Sequence, residues 1–135
     1  MTKKYEMFGD EAENGLQQIR ALKDFGSVVT GDIGGWIQKE SNLSHDGNCW
    51  VSGHASVAGR ARVSGNALVS GCAEVYDDAE VYDDAQVRGL AIVSGHAIVC
   101  GHADVGGHAM VAGNNLVSGN DKIYGLFGVD TSNGG

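Results

Sequence analysis

A six-residue period governs this chain from Trp50 onward. In blocks of six it reads WVSGHA, SVAGRA, RVSGNA, LVSGCA, EVYDDA, EVYDDA, QVRGLA, IVSGHA, IVCGHA, DVGGHA, MVAGNN, LVSGND and KIYGLF. All thirteen blocks carry Val or Ile second, eleven carry Gly fourth, and the first ten end in Ala. A six-residue unit is too small to bury its own aliphatic side chain, so such units must stack on one another. Val and Ile favour extended backbone, Gly reaches positive φ at a corner, and Ala fits a turn where a larger side chain would clash. Asp77 and Asp83 replace the glycine, and aspartate is among the few other residues that tolerate the left-handed region.

The segment before Trp50 is less regular. Extended backwards, the frame puts Gly35 and Gly47 on the glycine position, Ile37, Leu43 and Cys49 on the alanine position, and Lys39 and His45 on the valine position. The repeat is therefore expected to begin near residue 31, with Ile37 and Leu43 filling volume that valine fills later. Residues 1–30 differ in kind: a strand over Lys3–Phe8, an acidic turn from Gly9 to Gly15, then LQQIRALKDF. Leu16, Ile19, Leu22 and Phe25 suit a short helix, while Ile19, Ala21 and Lys23 suit an alternating strand, and a hairpin is favoured. An open stack exposes backbone edges and core at its ends, so this segment is expected to be a cap. Leu126 and Phe127 are expected to plug the last coil, with a flexible tail over 128–135.

The xVxGxA run resembles the hexapeptide repeat of left-handed parallel β-helix proteins, in which three hexapeptides make one triangular coil. That resemblance implies an all-β fold: a triangular prism over 31–127 behind the N-terminal cap. With 18 residues per coil, the strict repeat makes about four coils, a prism on the order of 20 Å tall. The segments GDIGGWI, NLSHDGN and WV also resemble those of uncharacterised bacterial and prophage proteins that join such a leader to hexapeptide repeats. The architecture is shared by acyltransferases, carbonic anhydrases and non-enzymatic binders, so the resemblance specifies fold more sharply than function.

The 135 residues bound the chain to one domain. Seventeen acidic against nine basic side chains leave a net charge of -8, which repels phosphate backbones and anionic lipids and argues against nucleic-acid or membrane partners. No signal peptide and no membrane-length apolar run is visible, so a cytoplasmic location is expected. Cys49, Cys72 and Cys100 are odd in number and lack CxxC pairing, which favours free thiols over a disulfide framework or a thiolate metal site.

Residues 18 apart stack, so outward side chains sort onto three faces. The first carries Trp50, Leu68, Gln86, Asp104 and Lys122 and reads as solvated. The second carries Ser56, Glu74, Ile92 and Met110, and the third Arg62, Glu80, Ile98 and Leu116. Ile92, Ile98, Met110 and Leu116 flank one corner, whose column is Arg60, Asp78, His96 and Asn114. An apolar wedge of this kind suggests a homo-oligomer, with a trimer favoured and His96 at its axis. The acidic hexads place Glu74, Tyr76, Asp78, Glu80, Tyr82 and Asp84 in one belt, a candidate docking surface in which tyrosines offer rigid area and carboxylates steer a basic partner.

His96, His102 and His108 fall six apart, hence at three different corners, and cannot share one ion within a chain, so no metal site is expected. The family's acyltransferases place a general-base histidine between protomers, and on that alternative His54, His102 or His108 would serve with acetyl-CoA as cofactor. The frame nevertheless runs from Val51 to Ile123 without an inserted loop, and its only basic residues are Arg60, Arg62, Arg88 and Lys122. The favoured reading is a non-catalytic homo-oligomeric binding protein without cofactor. The prophage resemblance implies that it sequesters a host factor, either a protein held on its faces or a small ligand held between protomers.

Overall fold

A computed structural model of the protein describes residues 3–124 and the strand Gly128–Asp130. Every hexad from Trp50 to Asp121 folds as a short strand of two or three residues followed by a corner, and each strand pairs in parallel with those one coil away. Gln86 stands on Leu68 and under Asp104, Ile92 on Glu74 and under Met110, and Ile98 on Glu80 and under Leu116. The three faces thus follow the eighteen-residue columns, and the solenoid makes about five turns.

Each coil hydrogen-bonds to the next through its backbone: Ser52 N donates to Val69 O at 2.9 Å and Ser70 N to Val87 O at 2.9 Å. The second position of every hexad from Val51 to Val117 points inward and is buried, as is every alanine from Ala55 to Ala109. Burying one such valine contributes roughly 1.5 kcal/mol or more, and stacking repeats that gain once per face per coil. Asp77 and Asp83 sit at φ 60° and 59°, the left-handed conformation held elsewhere in these corners by glycine.

Residues 3–30 form a hairpin, not a helix. Strand β1 (Tyr5–Phe8) pairs antiparallel with β2 (Gln17–Ala21), and β2 pairs antiparallel with β3 (Ile33–Ile37). Because β3 pairs in parallel with Ser56–Val57, the hairpin continues the second face beyond the first coil. Tyr5, Ile19, Phe25 and Val28 close the apolar end of the prism. Tyr5 donates its hydroxyl to the Leu43 carbonyl at 2.6 Å and stacks on His45 with ring centroids 4.2 Å apart.

The first coil departs from the backward-extended frame. Ile37 pairs with Val57 and Leu43 with Val63, twenty residues on, so both occupy the valine position and not the alanine position. Gly35 takes the alanine position, where a Cβ would lie 2.7 Å from the Ala55 carbonyl oxygen. The frame returns by Gly47, whose Cβ would meet the Gly65 carbonyl oxygen, eighteen residues on. The corner through Ser44, His45 and Asp46 therefore carries two extra residues. Trp50 is also unlike its column: it is only 5 % exposed, edge-on to Phe25 at 5.2 Å beneath the cap. Leu126, Phe127 and residues 131–135, read from sequence as plug and tail, lie outside the described residues, and Gly128–Asp130 pairs in parallel with Met110–Ala112.

Candidate functional site

The hairpin turn gives the second face a wall that the uninterrupted repeat does not reveal. Ala12, Asn14 and Leu16 from that turn, Trp36 from β3, and His54, Ser56, Cys72 and Glu74 from the coils line an open groove of about 500 Å³. A second stretch of about 330 Å³ shares Asn14, Leu16, Ser56 and Glu74 and runs on to Gln38 and Tyr76. The two make one continuous groove between two half-buried aromatics, Trp36 and Tyr76, with Glu74 as its sole formal charge. His54 thus meets a second wall within its own chain, where the sequence suggested that only a neighbouring protomer could supply one.

The groove gathers part of the acidic belt and not the rest. Glu74 and Tyr76 lie in it, whereas Glu80 and Tyr82 stand on the next face. Tyr82 is half-buried beside Cys100, whose hydrogen bond raises its pKa, with Asp83 and Glu80 acting in the same direction. Asp78 and Asp84 belong to corner ladders. Arg60 pairs with Asp78 at 2.7 Å from one side and His96 Nδ1 lies 3.7 Å away on the other. Asn66 donates to Asp84 at 3.2 Å, and His102 Nδ1 lies 3.7 Å beyond it.

The histidines named as alternative catalytic residues are dispersed. His54 and His108 share one corner column three coils apart, on the order of 14 Å, and His102 stands at another corner. Among the described residues, no side chain hydrogen-bonds His54 to orient it as a base, and no Lys or Arg lines the groove to receive coenzyme phosphates. No group of three His, Cys, Asp or Glu that could hold a metal occurs among the described residues, and none of their helices is long and apolar enough to cross a membrane.

The apolar corner is also on the surface. Met110 is 47 % and Leu116 58 % exposed, with Ile92 and Ile98 half-buried one coil below. Two features carried no sequence signal. Lys4 is fully buried, its Nζ donating to the Cys49 carbonyl at 2.7 Å and the Gly47 carbonyl at 3.3 Å. On the first face, Arg88 makes two bonds to Asp104, at 2.9 and 2.7 Å, and Tyr124 donates to the same carboxylate at 2.6 Å. Gly106 leaves room for this cluster, since a Cβ there would meet both Arg88 and Tyr124 at 3.3 Å.

Hexads closed into stacked three-faced coils give this chain a parallel β-solenoid that fits the hexapeptide-repeat β-helix family. Over 47 residues, 35 % of its length, it is 43 % identical to a protein described as uncharacterized acetyltransferase YdcK of Escherichia coli (strain K12), and the matched segment spans 14 % of that protein. No protein-family model matches the chain.

Proposed function

We propose that this chain is a non-catalytic, homo-oligomeric interaction protein. Self-association uses the corner flanked by Ile92, Ile98, Met110 and Leu116, and a cationic partner is taken up along the acidic second and third faces. The exposure of Met110 and Leu116 on either side of one corner carries the reading: each would bury apolar area only against another surface. Three-fold packing puts the Arg60, Asp78 and His96 column at the axis, where the Arg60–Asp78 pair limits repulsion between like carboxylates. Glu74, Tyr76, Glu80 and Tyr82 supply aromatic area and negative charge for the partner.

Sedimentation equilibrium tests this reading. The wild type is expected at a multiple of its 14.0 kDa chain mass, and Met110→Glu or Leu116→Glu at the chain mass itself. A monomeric wild type, or variants that keep the oligomer mass, overturns it.

The partial similarity to a protein named as an acetyltransferase favours a second reading, acyl transfer with His54 as general base in the groove. On that reading acetyl-CoA raises the melting temperature and His54→Ala abolishes the rise; on the first reading acetyl-CoA changes nothing.

A further inference from the structure

Lys4 and Cys49 meet beneath the cap, both fully buried. Besides its bonds to the Cys49 and Gly47 carbonyls, Lys4 Nζ lies 3.3 Å from Cys49 Sγ and 4.8 Å from the centroid of the Phe25 ring. Among the described residues no carboxylate forms an ion pair with Lys4, which is unusual for a buried ammonium. Its acceptors are two neutral carbonyls and a thiol, so none of its hydrogen-bond partners carries a formal countercharge. Burial acts against the charged form of both groups, holding the Lys4 amine below the ordinary lysine range and the Cys49 thiol above the ordinary cysteine range. The other two thiols differ: Cys72 is exposed and Cys100 half-buried, and among the described residues no lysine nitrogen contacts either.

We propose that Lys4 and Cys49 form an oxidative modification site, at which one oxygen atom taken from dissolved dioxygen bridges Lys4 Nζ and Cys49 Sγ. In that reaction one N–H and the S–H bond break, an N–O and an O–S bond form, and the O=O bond is cleaved. Nitrogen and sulfur each give up two electrons, and dioxygen accepts all four. One oxygen becomes the bridge, and the second leaves as water with the two displaced hydrogens. Dioxygen is small and apolar enough to reach a buried pair that larger oxidants reach only after local opening. The bond would join the residue just before β1 to the first coil across 45 residues of sequence, constraining the unfolded chain as a disulfide does and locking the cap onto the prism.

The test uses the full chain carrying Cys72→Ser and Cys100→Ser, so that Cys49 is its sole thiol. It is held in air-saturated buffer with or without tris(2-carboxyethyl)phosphine and read by intact mass and tryptic mapping. The expected result is a gain of about 14 Da, one oxygen in and two hydrogens out, in a single peptide species joining Lys4 to Cys49 and reversed by the reductant. Lys4→Arg in the same background is expected to show no such gain. An unchanged mass after prolonged aeration overturns the proposal. So does a gain of about 16 or 32 Da confined to Cys49, which is ordinary thiol oxidation. Both outcomes are read without the Lys4 variant, so its folding does not decide the result.

Discussion

Asp77 accepts the backbone amide of Gly95 on its own carboxylate at 3.0 Å, one coil along the same corner. Asp83 does the same for Gly101 at 3.0 Å. The two aspartates that interrupt the glycine column therefore satisfy an amide there while bearing positive φ. Asp77→Asn keeps the acceptor and tolerates the conformation, so its stability should stay within about 1 kcal/mol of wild type. Asp77→Ala loses the acceptor and strains the backbone, for a loss of about 2 kcal/mol in denaturant unfolding. Equal stability of the two variants would show that the carboxylate bond contributes nothing.

Gly47 and Gly9 both have positive φ, yet their surroundings differ. A Cβ on Gly47 would lie 2.3 Å from the Gly65 carbonyl oxygen, whereas one on Gly9 meets nothing within 4 Å. Gly9→Ala should cost about 1 kcal/mol, the conformational term alone. Gly47→Ala should cost roughly 3 kcal/mol or more, because the clash is with backbone that a neighbouring coil holds in place. Similar melting temperatures for the two would contradict that difference.

Asn42 is fully buried and uses its amide in both senses. Its oxygen accepts from Gln38 N at 3.1 Å and Lys39 N at 2.8 Å, and its nitrogen donates to Gly59 O at 3.1 Å and Ala61 O at 2.9 Å. Asn42→Ala should destabilise by about 3 kcal/mol, leaving buried backbone groups unpaired. Asn42→Asp, nearly the same shape, should be at least as damaging at neutral pH and recover partly in acid, because a carboxylate cannot donate to Gly59 and Ala61. Unfolding curves at pH 4 and pH 7 separate the two effects.

Hydrogen bonding to Arg88 first, then Tyr124, holds the Asp104 carboxyl below the usual carboxylate range against the opposing effect of burial. The unfolded chain therefore binds this proton at a higher pH than the folded chain does. The associated stability is fully present above the unfolded value, about 3.9, and is lost as pH falls through the lower folded value. Stability curves of wild type and Asp104→Asn should differ at neutral pH and converge as pH falls through the folded-state value. A constant gap throughout the acid range would mean that the cluster contributes packing alone.

The prism was legible because an inward valine or isoleucine recurs in all thirteen hexads, a corner glycine in eleven and an alanine in the first ten, and because alternation assigns the outward residues without further information. The columns containing Ile92 and Met110, or Ile98 and Leu116, followed directly. The first coil was not legible in the same way. Ser44, His45 and Asp46 lengthen a corner without altering the apolar spacing that a periodic pattern records, so Ile37 and Leu43 took positions two residues away from those expected. Trp50 read as solvated because nothing in its own hexad announces that Phe25 and Tyr5 fold over it. The groove wall and the burial of Lys4 share this cause: both depend on where a non-repeating hairpin lands on a repeating surface.

The eighteen-residue stacking makes length and surface separately adjustable. A duplication of eighteen residues would add a storey and leave every column on its own face. An insertion of six would turn everything beyond it by one third of a revolution, carrying Met110 and Leu116 each to the next face and splitting the column that joins Arg60 to His96. For a scaffold of this kind the addressable unit is the coil, and the hexad acts as a rotation.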